Sequence, residues 1–334
     1  MMISSSGRPA LWSHRRDGKS LQCLLCPQAC LLKPGETGKC GVRRHDWVKG
    51  LVTTNDRRVL ALAVDPVEKK PLYHWRPGTS ILSVGTGGCN MACPYCQNHE
   101  LVYSDPSLTG EELSPLELRL LLNQKGLKAL AFTYNEPLVW YEYVLETARE
   151  LRDGGYSAVL VTNGQITPGP ARALIPLLDA VNVDVKAFSE ESYRRLGGHL
   201  KATLAFVEAL LEQEIHVELT HLVVPGLFAK EEFDAMIRWV ASLDRSLPLH
   251  LSRCLPRHRW RERPTDKASL VHLAEEAKEE LSFVYLGNVG GESKTSCLQC
   301  GHDIVVRREY NVVAMELDAE GKCLCCGGQS SIRF

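Results

Sequence analysis

The chain is predicted to be an α/β protein, a partial (β/α) barrel of parallel strands with a cysteine-rich segment at each end. Three observations predict this. Between Ile81 and Leu286, short apolar runs alternate with longer amphipathic ones. The 13 cysteines are clustered rather than scattered. The flanks on either side lack the alternating pattern and carry most of the clustered cysteines. The organisation expected is therefore a cysteine-rich N-terminal segment over 1–78, a barrel core over 79–290 and a small C-terminal module over 291–334.

Seven strands are read in order as Ile81–Gly85, Ala129–Thr133, Ala158–Thr162, Val181–Lys186, Val217–Val224, Leu249–Ser252 and Phe283–Tyr285. Each is short, apolar and bounded by Gly, Pro or Asn, as strands buried on both faces tend to be. Helical periodicity fills the gaps. Ser114-Pro-Leu-Glu117 reads as a capping box with Pro at the first helical position, followed by Leu118, Leu121 and Leu122 on one face. Glu136–Arg152, Lys201–Glu214, Lys230–Leu243 and Asp266–Leu281 carry similar patterns. Repeated βα units imply a parallel sheet with right-handed crossovers. An open barrel fits best, with a doubly wound sheet as the alternative. Weaker strand signals lie at Trp47–Thr53 and Val59–Val64, and the last segment shows one strand-like run, Asp303–Arg307.

Composition narrows the function. Over 334 residues, 39 Lys and Arg balance 40 Asp and Glu, which argues against a general nucleic-acid or membrane binder. No run of about 18 apolar residues occurs. Met1–Ser20 is polar and basic without an apolar core, so no secretory signal is expected and the protein is read as cytoplasmic. In a reducing compartment clustered thiols indicate metal rather than disulfides. The basic run Arg257–Arg263 is expected to be a solvated loop.

The three cysteine groups differ in kind. Cys89, Cys93 and Cys96, in Gly87-Gly-Cys-Asn-Met-Ala-Cys-Pro-Tyr-Cys96, form a Cys-x3-Cys-x2-Cys loop just after the first barrel strand. Such a loop can wrap one face of a [4Fe–4S] cube and leave the fourth iron open. The flanking glycines are expected to let the backbone approach the cluster. The alternative is a structural zinc site with a distant fourth ligand. Position favours the open cluster, because parallel α/β folds place their chemistry at strand C-termini.

At these residues the chain resembles the radical S-adenosylmethionine (SAM) superfamily. The resemblance implies that SAM chelates the open iron and is reductively cleaved to methionine and a 5′-deoxyadenosyl radical, which abstracts a hydrogen atom from substrate. An external electron donor follows from this. Phe132-Thr-Tyr-Asn-Glu136-Pro137, Val161-Thr-Asn-Gly164, Asp184-Val-Lys186 and Leu247-Pro-Leu-His250 are similar to the pyruvate formate-lyase activating enzyme branch. Carried over residue by residue, Glu136 holds the SAM ammonium, Asn163 the ribose or carboxylate region, and Lys186 and His250 the SAM or substrate. Asp184 and Tyr95 complete the expected cofactor contacts. Thr-Tyr-Asn stands where the superfamily has a Gly pair, and Val161 where activating enzymes often have Asp.

The other two groups are closed sets of four. Cys297, Cys300, Cys323 and Cys326 form two Cys-x-x-Cys-Gly knuckles, a tetrahedral S4 site for zinc or a single iron, and resemble a rubredoxin or zinc-ribbon module. The glycine after each second Cys selects Cys326 over Cys325. A module this small needs a staple, so its metal is expected to be structural. Cys23, Cys26, Cys30 and Cys40 fit neither a zinc ribbon nor a ferredoxin run cleanly, leaving zinc and an iron–sulfur cluster both open.

The N-terminal Cys-Leu-Leu-Cys-Pro segment, the Thr133-Tyr-Asn-Glu-Pro137 motif, Val223-Val-Pro-Gly226, Tyr285-Leu-Gly-Asn288 and the C-terminal ribbon together resemble the AmmeMemoRadiSam-system radical SAM enzymes. That resemblance implies AMMECR1-like and Memo-like partner proteins. Cys254-Leu-Pro256 departs from it where an aromatic is expected. Three functions stand at this point: a small-molecule radical enzyme, a glycyl-radical-type activase of a protein partner, and a non-catalytic metal-binding scaffold.

Overall fold

The computed structural model describes residues 7–16, 20–105 and 110–334. Part of the Met1–Ser20 stretch read for a signal sequence lies outside them. The central sheet has eight strands. We number them β1 (Ala61–Pro66), β2 (Ser80–Gly85), β3 (Ala129–Phe132), β4 (Ser157–Thr162), β5 (Ala180–Asp184), β6 (His216–Val223), β7 (Leu249–Arg253) and β8 (Val284–Gly287). All seven expected strands are present, within a few residues of their expected ends. Their spatial order is their chain order, β1 to β8, with β1 antiparallel to β2 and the rest parallel. This order decides between the two topologies. A doubly wound sheet reverses strand order at a switch point, whereas sequential order with right-handed crossovers puts every connecting helix on one face. The fold is the partial barrel.

Alternation along the strands sorts the core. Leu82, Val84, Leu130, Phe132, Leu160, Val183, Leu219 and Leu251 join the helices in one large buried cluster. The neighbouring positions Ile81, Ala129, Ala131, Val159 and Ala180 face the other way and pack on Val67, Leu72 and Trp75. The chain leading into β2 therefore fills the barrel interior, which explains the small residues there. The segment read as 1–78 also supplies β1, so it is continuous with the barrel sheet rather than a separate body.

The capping box forms as expected: Ser114 Oγ accepts from Glu117 N, and the Glu117 carboxylate accepts from Ser114 N. The stretch from Glu136 opens with a 3-10 turn, Pro137–Trp140, before the α-helix Tyr141–Asp153. Short helices at His99–Val102, Pro168–Leu174 and Glu190–Arg195 were not expected from the sequence. Pro168 occupies the first position of its helix, where its missing N–H costs nothing.

The C-terminal module holds three antiparallel strands, Glu292–Ser296, Asp303–Arg308 and Asn311–Met315, where one was expected. It closes the N-terminal end of the barrel. His74 Nδ1 pairs with Ser331 Oγ at 2.8 Å, and Arg307 lies buried over the Tyr73 ring, 4.4 Å from its centroid. Among the described residues no helix is long and apolar enough to cross a membrane.

Candidate active site

The loop carrying Cys89, Cys93 and Cys96 follows β2 directly, at the C-terminal end of the barrel. Asn135 braces its start: its side chain accepts from Thr86 N at 3.1 Å and donates to Gly88 O at 3.0 Å. Gly88 has φ +97°, and a Cβ there would lie 2.8 Å from Val42 and 2.9 Å from Cys40 O. The glycine is thus needed for close approach to the N-terminal segment.

Glu136 ends the stretch after β3 with extended backbone, φ −91° and ψ 105°, as a residue before proline should. Its carboxylate is 3% exposed and accepts from Thr162 Oγ1 at 2.6 Å, Asn163 N at 2.8 Å and Leu138 N at 2.9 Å. Burial outweighs these bonds and raises the carboxyl to about 7. Two residues earlier, Tyr134 has φ +73°, the left-handed region that glycine enters freely. The Gly pair of the superfamily is thus replaced by a residue held in a glycine-like conformation. Its hydroxyl donates to Asp65 at 2.8 Å, Asn98 donates to its carbonyl at 2.6 Å, and Lys70 sits over its ring at 4.8 Å.

Asn163, just past β4, donates to Asn90 Oδ1 at 2.9 Å and lies 3.9 Å from Cys89 Sγ. At the end of β5, Asp184 and Lys186 pair at 2.7 Å. Burial works against the lysine's charge, but Asp184 and the neighbouring Cys93 outweigh it and raise its pKa. Lys186 in turn favours the thiolates of Cys93 and Cys96. Tyr95 turns its ring inward, 5% exposed, into the cluster of Met91, Tyr193 and Leu196, with its hydroxyl beside the Cys93 thiol.

Glu136, Asn163, Asp184, Lys186 and Tyr95 are therefore gathered around the triplet. His250 is not. It is the second residue of β7, near the strand's N-terminal end, and its Nε2 pairs with Glu218 at 2.7 Å. The expectation that it contacts SAM or substrate is corrected: Leu247-Pro-Leu-His250 begins β7, so the imidazole points into the interior at the closed end of the barrel, onto Glu218.

The residues fit a [4Fe–4S] cluster. Three cysteine sulfurs on one loop supply the three protein ligands that such a cluster takes with one iron left open, and Met91 N and Asn163 Nδ2 lie 3.4 Å and 3.9 Å from Cys89 Sγ. Sequence reasoning missed Asn90, Asn135 and Thr162, although all three lie in or beside the quoted motifs. The basic run is the exposed loop that was expected. From that loop Arg259 also reaches the cysteine loop, donating from its backbone N to Pro94 O at 2.9 Å and from its guanidinium to Ala92 O at 3.3 Å.

The C-terminal set is a second, different centre. The sulfurs of Cys297, Cys300, Cys323 and Cys326 all lie within 4.8 Å of one another, with Cys297–Cys326 at 3.7 Å and Cys300–Cys323 at 3.8 Å. A tetrahedron built on metal–sulfur bonds of about 2.3 Å has edges of about 3.8 Å. The set is therefore shaped for one ion. Gly301 and Gly327 have φ +74° and +72° with open space around them, so each knuckle needs glycine for its backbone conformation alone. Cys325 is exposed and outside the set. Cys300→Ser should lose about one ion per chain and loosen the segment, whereas Cys325→Ser should lose none. Metal analysis of the two variants checks this, and equal loss from both would mean a wrong ligand assignment.

Comparison with known proteins places this geometry. The Radical SAM superfamily profile matches residues 83–240. An uncharacterized protein of Methanocaldococcus jannaschii is 32% identical over 97% of this chain and 99% of its own. A GTP 3′,8-cyclase of Bradyrhizobium diazoefficiens is 25% identical, over 62% of this chain and 65% of its own length. A second Methanocaldococcus jannaschii protein, named as a glycyl-radical enzyme activating enzyme, is 26% identical over 47% of this chain and 67% of its own.

Proposed function

The chain belongs to the radical SAM superfamily and is an enzyme of that group, and from this premise we propose that it binds SAM at Cys89, Cys93 and Cys96 and uses it to abstract a hydrogen atom from a substrate. When bound, the cluster and SAM supply one-electron cleavage of the sulfonium, with the electron taken from an external donor. The protein's part is to bind, orient and exclude water. One observation carries the reading. Residues from three strand ends converge on one cysteine sulfur: Glu136 after β3 bonds Asn163 after β4, and Asn163 reaches Cys89 after β2. A carboxylate held there by three donors is oriented before any ligand arrives, and it can accept from the SAM amino group in a charge-assisted hydrogen bond. Asp184 and Lys186 supply opposite charges on the next strand end, suited to the polar groups of SAM or a substrate.

A second reading is activation of a protein partner by hydrogen abstraction. The likeness to the activating enzyme named above supports it. The resemblance of the whole chain to AmmeMemoRadiSam-system enzymes makes AMMECR1-like and Memo-like proteins its proposed partners. Anaerobic reduced protein given SAM should release 5′-deoxyadenosine. None formed, with the cluster intact, would leave a metal-binding scaffold. A radical on an added partner polypeptide would select the activase.

A further inference from the structure

We propose that Cys23, Cys26, Cys30 and Cys40 hold a second, polynuclear iron–sulfur cluster lying against the central one, rather than a single structural ion. The sulfur positions separate the two possibilities. Among the described residues, the C-terminal set is the group of three or more ligand atoms that come within 4.8 Å of one another. No three of the N-terminal sulfurs do so, although all four residues are described. Single-ion binding needs S–S edges of about 3.8 Å. The three central sulfurs do not come within 4.8 Å of one another either, and thiols set wider than single-ion edges surround a space that one ion does not fill.

They nevertheless face one another. All four line a single small cavity, closed by Leu25, Val139 and Arg43. Apolar walls of this kind control solvent access and local dielectric around a cluster. Arg43 supplies an independent sign of an anionic occupant. It is 2% exposed, and it spends one terminal nitrogen on Glu142 at 2.9 Å and the other on Leu11 O. Its Nε has no partner, although it is buried at the cavity wall. An orphaned buried N–H is costly, and a cluster whose thiolates and sulfides carry net negative charge would relieve it. Cys40 Sγ also accepts backbone N–H groups from Val42 and Arg43, and hydrogen bonds to sulfur are among the features that tune such centres.

The placement gives the site its meaning. Cys89 N donates to Cys40 O at 3.2 Å, so a ligand of each centre is joined by one backbone hydrogen bond. Gln28, two residues after Cys26, donates to Asn90 O at 3.0 Å, beside Cys89. Gly88 permits the contact between Cys89 and Cys40, since a side chain there would strike Val42 and Cys40 O. The C-terminal ion site, by contrast, belongs to the module at the opposite end of the barrel. The two spread sets are neighbours and the tight set is remote, which is the arrangement expected if both neighbours are redox centres and the remote one is a staple.

The inference does not depend on SAM chemistry, and its test uses the whole chain reconstituted anaerobically with iron and sulfide. Wild-type protein should hold more acid-labile sulfide than one central [4Fe–4S] cluster accounts for, about eight per chain if the second cluster also has four irons. The Cys89→Ala, Cys93→Ala, Cys96→Ala variant should keep the second share of sulfide and its visible absorbance. Adding Cys26→Ala and Cys30→Ala should abolish it. If those variants fail to fold, the wild-type sulfide count with Mössbauer spectra still decides. About four sulfides per chain, with zinc bound at the N-terminal set, would overturn the proposal while leaving the central cluster and its SAM chemistry untouched.

Discussion

Glu136→Ala should weaken SAM binding by roughly 10- to 150-fold while the central cluster survives. A hydrogen bond to a charged group contributes about 1.5–3 kcal/mol, and every 1.4 kcal/mol is a factor of about ten in affinity. The cluster ligands lie on another loop, so iron content should not fall. The structure adds a pH dependence. Burial raises the Glu136 carboxyl to about 7, so near neutrality a large share of it carries a proton in the absence of ligand. An amino group bound beside it favours the carboxylate, so SAM binding should release a proton. Affinity should therefore rise as pH climbs through about 7 and level off above, and Glu136→Ala should lose that slope. Unchanged affinity in a variant with its cluster intact would make Glu136 a structural clasp for Thr162, Asn163 and Leu138 alone.

Glu218→Ala should cost about 3–5 kcal/mol of stability, the usual penalty for breaking a buried charged network by removing one partner. Glu218 is fully buried, and its carboxylate accepts from Tyr73 N at 2.9 Å, His74 N at 2.7 Å, His216 at 3.0 Å and His250 at 2.7 Å. Removing it strands four donors inside the barrel. Burial opposes its ionisation, but the bonds from His216 and His250 prevail and hold the carboxyl far below the ordinary range. Because the folded pKa is depressed, this stabilisation is complete above the unfolded value of about 4.3 and is lost as pH falls below it. Denaturant titration of wild type and variant should therefore differ most at neutral pH and converge in acid. A difference that persisted unchanged at pH 3 would contradict the assignment. Since His250 belongs to this network, His250→Ala should lower stability yet leave SAM affinity unchanged in the protein that remains folded.

How much of this was legible in the sequence follows from burial. Most of β2 to β8 were visible because strands covered on both faces are short apolar runs with sharp ends, although β6 mixes His216, Glu218, Thr220 and His221 among its apolar residues. β1 gave only a weak signal because it is an edge strand whose residues are mostly half-exposed or exposed. The hairpins of the C-terminal module were hidden for the same reason: Glu292–Ser296 and Asn311–Met315 are largely exposed and held by their neighbours rather than by an apolar face. The site divides in the same way. Cysteine spacing is local and was readable, as was the extended backbone that Pro137 imposes on Glu136. The positive φ of Tyr134 was not, because the contacts that hold it come from Asp65, Lys70 and Asn98, distant in the chain. His250 was misplaced because the sequence motif marks a strand without saying which end of it faces the site.

The central claim is that Cys89, Cys93 and Cys96 hold a cluster with an iron open to SAM. Low-temperature EPR of the reduced protein, recorded with and without SAM, tests it most directly. The account predicts a reduced-cluster signal that changes on adding SAM, and the loss of that SAM-responsive signal together with about four irons when all three cysteines become alanine. A signal indifferent to SAM, or a SAM response that survives the triple substitution, would contradict it.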